Sequence, residues 1–176
     1  LSVFVSFQQE ESVEYNGAFK VMNKEKFIEV EEVWRIIQEE TGKRAEAEPV
    51  LASFFHSTIL EHSSFASAIA NQLASDLASQ SVQPMMLRNV IKDALKGNSE
   101  ILENITLDLI AVKERDPACK YFSSPLLFFK GFKSLQAHRV ANWLWNENRH
   151  TLALFIESRT SEVYGVDIHP AAKIGN

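Results

Sequence analysis

Apolar residues return every three or four positions along most of the chain, and that spacing predicts one helix after another. Phe27, Val30, Trp34 and Ile37 form the first stripe, with Asn23 placed to cap the helix and Gly42 to end it just past Thr41. Glu29, Glu31, Glu32, Glu39 and Glu40 read as its solvated face. Lys43 to Glu48 reads as a polar connection, and Pro49 suits the first turn of a second helix reaching His62. Ser63 or Ser64 caps a third, rich in alanine and serine, that extends to Ser79. Pro84 opens a fourth, Met85 to Lys96, closed by Gly97, with Met85 and Met86 as core filler. Ser99 caps a fifth, on which Leu102, Ile105, Leu109 and Val112 share a face. The pattern breaks at Asp116-Pro117. Ser124-Pro125 then starts a long helix to Asn148 with Gly131 inside it, and a last helix runs from Arg149 to Val163.

The period changes after Gly165. In Val166-Asp167-Ile168-His169-Pro170-Ala171-Ala172-Lys173-Ile174-Gly175-Asn176, Ile168 and Ile174 are six apart, with Ala172 four after Ile168. A triangular parallel β-helix has faces of about six residues, each with one inward aliphatic side chain and a small residue at the corner. The expected architecture is an all-α domain of about seven helices over residues 23–164, followed by the start of a hexapeptide-repeat β-helix over 165–176. One such turn cannot bury itself, so it is expected to be loose or to lie against a neighbouring chain. Residues 1–22 read as a mobile leader or extension: Leu1 to Phe7 lacks the basic start of a secretory signal and has no obvious strand partner.

Composition narrows the function classes. The 176 residues carry a net charge of −5 and no basic stripe, which argues against a nucleic-acid partner. No apolar run approaches the ~20 residues that span a bilayer. The single cysteine, Cys119, excludes an internal disulfide and suits a reducing compartment, so the expected location is cytoplasmic, with an organelle left open. His56 and His62 are six apart, which is not a helical ligand pair, and no metal is expected. His138 reads as a satisfied structural residue in mid-helix and His150 as a helix-terminus residue. Gly-x-Ser-x-Gly, Walker and dinucleotide-binding motifs are absent. Two aspartates, Asp116 and Asp167, stand at breaks in regular structure; unaided, each reads as a cap or turn residue.

Several stretches, in order, change that reading: Asp116-Pro117-Ala118, Leu127 to Phe132 leading into Leu135 to Val140, Trp143-Leu144-Trp145-Asn146, and Val166 to Gly175. Together they resemble serine O-acetyltransferase, with weaker similarity over Glu48 to His56. The resemblance begins near residue 27 and leaves 1–22 unmatched. It implies a helical amino-terminal domain, a left-handed parallel β-helix, and acetyl transfer from acetyl-CoA to the hydroxyl of L-serine in cysteine biosynthesis. L-Cysteine would inhibit by occupying the serine site. Asp116 matches a family aspartate that holds the substrate serine. Asp167 matches one that binds substrate and pairs with the catalytic histidine. His169 does not match that base, which lies further along the β-helix. The chain is therefore expected to be a truncated piece, inactive alone, that supplies serine-site residues. Acetyl-CoA is implied as co-substrate, with no bound cofactor in this segment. The resemblance further implies a homo-oligomer, a trimer or a dimer of trimers, and a complex with O-acetylserine sulfhydrylase through a tail that this segment lacks.

A non-catalytic helical self-association module is the alternative. Exposed aromatic positions among Phe128, Phe129, Phe132, Trp143 and Trp145 would mark its contacts. A different β-helix acyltransferase, such as a sugar acetyltransferase, ranks below both, because such enzymes do not combine this helical pattern with the Asp116-Pro117 stretch.

Overall fold

Helix α1 (Val30–Ala47) lays Val33, Trp34, Ile37, Thr41 and Ala45 into the core. The computed structural model describes residues 29–175. The leader over residues 1–22, the Asn23 cap and Phe27 lie outside the described residues, as does Asn176. The helix does not stop at Gly42: it passes through Lys43 to Ala47, where a polar connection is expected from sequence. Tertiary contacts outweigh the glycine's propensity cost of about 1 kcal/mol. The Arg44 guanidinium lies 5.4 Å over the Phe55 ring, 5.0 Å over Tyr121 and 5.3 Å over Phe128. It also donates to the Ser123 hydroxyl at 2.9 Å, while Glu40 accepts from the Ser123 backbone N–H at 3.1 Å. The last turn of α1 is thereby held against residues 121–128.

Pro49 to Leu60 is one helical stretch of changing pitch: a 3₁₀ turn, α2 (Ala52–Phe55), then a π-helical turn over His56–Leu60. Ser64 caps α3 (Phe65–Leu77), accepting from the Ser67 N–H. Next come α4 (Pro84–Gly97) and α5 (Ser99–Arg115). The α5 cap is Asn98, one residue earlier than the serine expected, because its side-chain oxygen takes the Glu100 N–H at 3.0 Å. Met85 and Met86 are not core filler: both are exposed, on the first turn of α4, while Leu87 and Ile91 carry its buried face.

The long helix expected from Ser124 to Asn148 is two: α6 (Ser123–Phe128) and α7 (Lys130–Asn146), joined by Phe129 in extended conformation. Four consecutive apolar residues, Leu126 to Phe129, cannot share one face of a helix. The break changes the phase, so that Leu126, Leu127 and Phe132 are all buried and Phe128 is exposed. Helix α8 (His150–Tyr164) ends at Gly165, whose φ of 75° is the left-handed value that glycine tolerates at a helix end. Among the described residues every regular element is helical. The β-helix start is absent as strand: residues 166–175 run as extended chain with a turn at Pro170-Ala171. The most extensive pairings are α7 with α8 and α3 with α4.

One partly buried carboxylate links three of these helices. Asp76 of α3 accepts from Lys133 Nζ of α7 at 2.7 Å and from the Tyr164 hydroxyl of α8 at 2.9 Å. Burial and the Asp76 charge raise the Tyr164 phenol well above its usual pKa, so it stays a donor. From α8, Arg159 also donates to the Leu77 and Ala78 carbonyls, satisfying the end of α3.

Two stability outcomes follow. Asp76→Ala strands a buried ammonium and a buried phenol and should cost about 2–4 kcal/mol in urea unfolding. Gly97→Ala should cost about 1–2 kcal/mol by the same measurement. The added Cβ meets Trp143 Cζ2 at 2.7 Å, and that ring must move.

Candidate functional site

Asp116 is the C-cap residue of α5. Its Oδ1 accepts from the Ala118 N–H at 2.8 Å and its carbonyl from the Cys119 N–H at 2.9 Å. Both bonds are local, which fits an aspartate ahead of proline at a turn. The half-buried carboxylate opens onto a shallow cavity of about 520 Å³ between α5 and α7, lined also by Arg115, Phe129 and Phe132. Cys119 is buried beneath the turn; desolvation raises its thiol pKa, so it is no thiolate nucleophile.

Asp167 lies beyond Gly165 and is exposed. The extended segment that carries it is clamped to α7. Asn142 donates to the Pro170 carbonyl at 2.7 Å and to the Ala172 carbonyl at 3.3 Å. His138 Nε2 also meets the Ala172 carbonyl, at 3.1 Å. A carbonyl can only accept, so Nε2 carries the proton. The His169 ring sits 4.9 Å from Trp145, which sits 4.2 Å from His150. A turn closes when Ala172 N–H donates to the His169 carbonyl at 2.9 Å, and His169 Nδ1 accepts from the Ala171 N–H at 3.1 Å. His169 is thus a turn and stacking residue.

Neither described cavity is lined by both Asp116 and Asp167. No residue of the segment 165–175 lines the cavity at Asp116. A second cavity, of about 260 Å³ at the start of α5, takes Lys173 and Ile174 but neither aspartate. The Asp167 carboxylate, and after it burial, raises the pKa of Glu157 on α8. Sequence reading passes over Glu157 as one more polar helix position. The available signal is the left-handed Gly165, which folds the chain back along α8.

His138 is buried but not fully satisfied. Its Nδ1 is shielded and has no hydrogen-bond partner. Burial lowers its pKa, against the opposing pull of the Ala172 and Ile168 carbonyls. His62 is satisfied by Ser67 Oγ at 3.2 Å and the Ser57 carbonyl at 3.1 Å. Among the described residues no three His, Cys, Asp or Glu side chains are grouped to hold a metal ion, and no helix is long and apolar enough to cross a membrane.

Residues 33–137 match the family model described as serine acetyltransferase, N-terminal. The serine acetyltransferase of Haemophilus influenzae is 45% identical over 145 residues, covering 82% of this chain and 54% of its own. The chain belongs to the serine acetyltransferase family. A solved serine acetyltransferase in complex with CoA superposes with a TM-score of 0.81 at 44% identity, covering 83% of this chain and 62% of that one. The Neisseria gonorrhoeae enzyme in complex with serine gives 0.77 at 47% identity, covering 79% and 58%. This chain spans about half the length of the curated relatives it matches.

His138 supplies a pH prediction. Its folded pKa is below its unfolded value, so the unfolded chain binds more protons at mild acid. Stability from this site is complete above the unfolded value near 6.5 and falls as pH drops below it. Urea midpoints should decline between pH 7.5 and 5.5, and His138→Gln, which keeps a donor for Ala172, should flatten that part of the decline.

Proposed function

We propose that the protein of which this chain is part transfers the acetyl group of acetyl-CoA to the hydroxyl of L-serine, a reaction that feeds cysteine biosynthesis. The observation that carries this reading is family membership at 45% identity over most of the chain. Relatives solved with CoA and with serine support both substrates.

A serine hydroxyl is a poor nucleophile at neutral pH, so a base must remove its proton as the oxygen attacks the thioester carbonyl. The tetrahedral adduct collapses by breaking the carbon–sulfur bond, and the leaving sulfur takes up the proton. The resemblance assigns the base to a histidine in the following hexapeptide repeats. Asp167 would accept from that histidine's other ring nitrogen, fixing its tautomer and stabilising the imidazolium. Its exposure, on a segment clamped by Asn142, suits a carboxylate waiting for a partner. The turn over His169 to Ala172 fits the first corner of a left-handed β-helix. Asp116 would pair with the substrate ammonium and so direct the hydroxyl. Its carboxylate keeps one oxygen beyond the Ala118 bond, at an open cavity.

Self-association is compatible with this role. Val50 and Leu51 are exposed, and exposed Phe128 touches Phe54 of the same helical stretch, which leaves an apolar area on the outside of the bundle. Such an area suits contact with a second copy. L-Cysteine as inhibitor and a sulfhydrylase partner rest on the family resemblance.

The test is release of CoA thiol from acetyl-CoA and L-serine. A polypeptide continuing through the repeats should turn over, and the 176-residue chain should not. In the active form Asp167→Asn should lower kcat by about a thousandfold. Asp116→Asn should raise KM for serine by about tenfold or more. Full activity with both replaced would overturn the reading. Light scattering should give a mass above that of the monomer, reduced by Phe128→Asp.

A further inference from the structure

Asp167 lies exposed on a short span whose two ends are both held. Two residues before it, the Gly165 N–H donates to the Ser161 carbonyl at 2.9 Å and closes α8. Three residues after it, the Pro170 carbonyl accepts from Asn142 Nδ2 of α7 at 2.7 Å. The same amide reaches the Ala172 carbonyl at 3.3 Å, and His138 Nε2 donates to that oxygen at 3.1 Å. Both lone pairs of the Ala172 carbonyl are thus engaged by α7. Between the anchors the His169 ring meets Trp145, again of α7, edge to face at 4.9 Å.

The direction of the Asn142 amide is set from its other side. Asn146 Nδ2, one turn further along the helix, donates to Asn142 Oδ1 at 3.3 Å. The Asn142 NH2 group therefore faces the two carbonyls, which can only accept. An aspartate of the same shape would set carboxylate oxygens against carbonyl oxygens. An alanine would take this donor away from the carbonyl of buried Pro170.

We propose that Asn142, with His138 beside it, is a positioning residue for Asp167: it fixes the backbone that carries the carboxylate, and so the line along which that carboxylate meets the base. The inference rests on the acetyl-transfer role proposed for Asp167. Only Val166, Asp167, Ile168 and His169 separate the two anchors. With both ends and one ring held, so short a span has little freedom to swing. Releasing Pro170 and Ala172 frees the chain that follows the carboxylate. A misplacement of about 1 Å at a catalytic group can cost about a hundredfold in rate. Asp116 is untouched by such a release, because its own turn holds it. The loss should therefore fall on kcat rather than on KM for serine.

Two measurements test this. Hydrogen exchange in the 176-residue chain needs no activity. The Ala172 N–H, which donates to the His169 carbonyl, should exchange about tenfold faster in Asn142→Asp and in Asn142→Ala, with amides inside α7 and α8 unchanged. An Ala172 rate indifferent to both changes overturns the clamp. Protection lost throughout both helices makes Asn142 a folding residue and overturns its positioning role. Steady-state kinetics are then read in a form carrying the repeats. Asn142→Ala should lower kcat by about tenfold to a hundredfold, with KM for serine within about threefold. In an Asp167→Asn background the same change should cost less than about threefold in kcat, because the group it positions is already gone. Equal losses in the two backgrounds, an unchanged kcat, or a loss carried by KM overturn the positioning role and leave the acetyl-transfer reading standing. Absence of turnover in the unsubstituted longer form overturns that reading, and the role of Asn142 with it, whatever the exchange rates show.

Discussion

The Asp76 carboxylate is the constraint on which the position of Asp167 depends. It reaches Lys133 on α7 and Tyr164 at the end of α8, while Gln72 donates to it from its own helix. The consecutive helices α7 and α8 are thus tied to the sequence-distant α3 at one acceptor. Tyr164 is the last residue of α8, so its hydroxyl contact sets where the helix ends and where Gly165 turns. A buried ion pair is weak evidence for stability, because desolvation offsets most of the attraction. What it supplies here is registry: α8 cannot slide along α7 by a turn without losing both the phenol and the Arg159 contacts to the end of α3.

The opposite face of α7 receives the returning chain. His138 and Asn142, four residues apart, lie on one helix face and converge on the Ala172 carbonyl. A neighbouring pair, Gln136 and Arg139, instead reaches Asp108 of α5. Helix α7 is therefore buried through polar contacts on more than one side, and its buried residues include Lys133, Gln136, His138 and Arg139. An isolated amphipathic helix would not tolerate this; every such group needs its partner across the interface. The helical domain and the segment carrying Asp167 are consequently one mechanical unit, and an exposed aspartate can be held in place without being buried.

Much of this was legible in the sequence wherever local chemistry decides the outcome. Pro84 and Gly97 bound α4, Ser64 caps α3, and Gly165 ends α8, since each acts through its own backbone. The misses share a cause. Gly42 does not end α1 because Arg44, two residues on, is stacked on three aromatic rings from distant segments. Phe129 breaks the long helix because two apolar faces must be re-phased, which no single window reveals. Met85 and Met86 point outward because Pro84 sets the phase of α4 with Leu87 inward. At the site, Asp116 and Asp167 stood out through family resemblance and not through any local pattern.

The two aspartates are held by different elements. Asp116 is fixed by its own turn at the end of α5, and Asp167 by the clamp on α7. The turn holds the Asp116 carboxylate itself, whereas the clamp holds the backbone that follows Asp167. Preorganised charge is effective because no reorganisation is needed as the imidazolium forms. The helical domain accordingly does two jobs through one set of contacts. Its polar interior fixes the exit of α8, and that exit orients the acidic group on which a base from the adjoining repeats would rely. If the proposed acetyl transfer holds, loosening α7 against α8 should weaken it through the placement of Asp167.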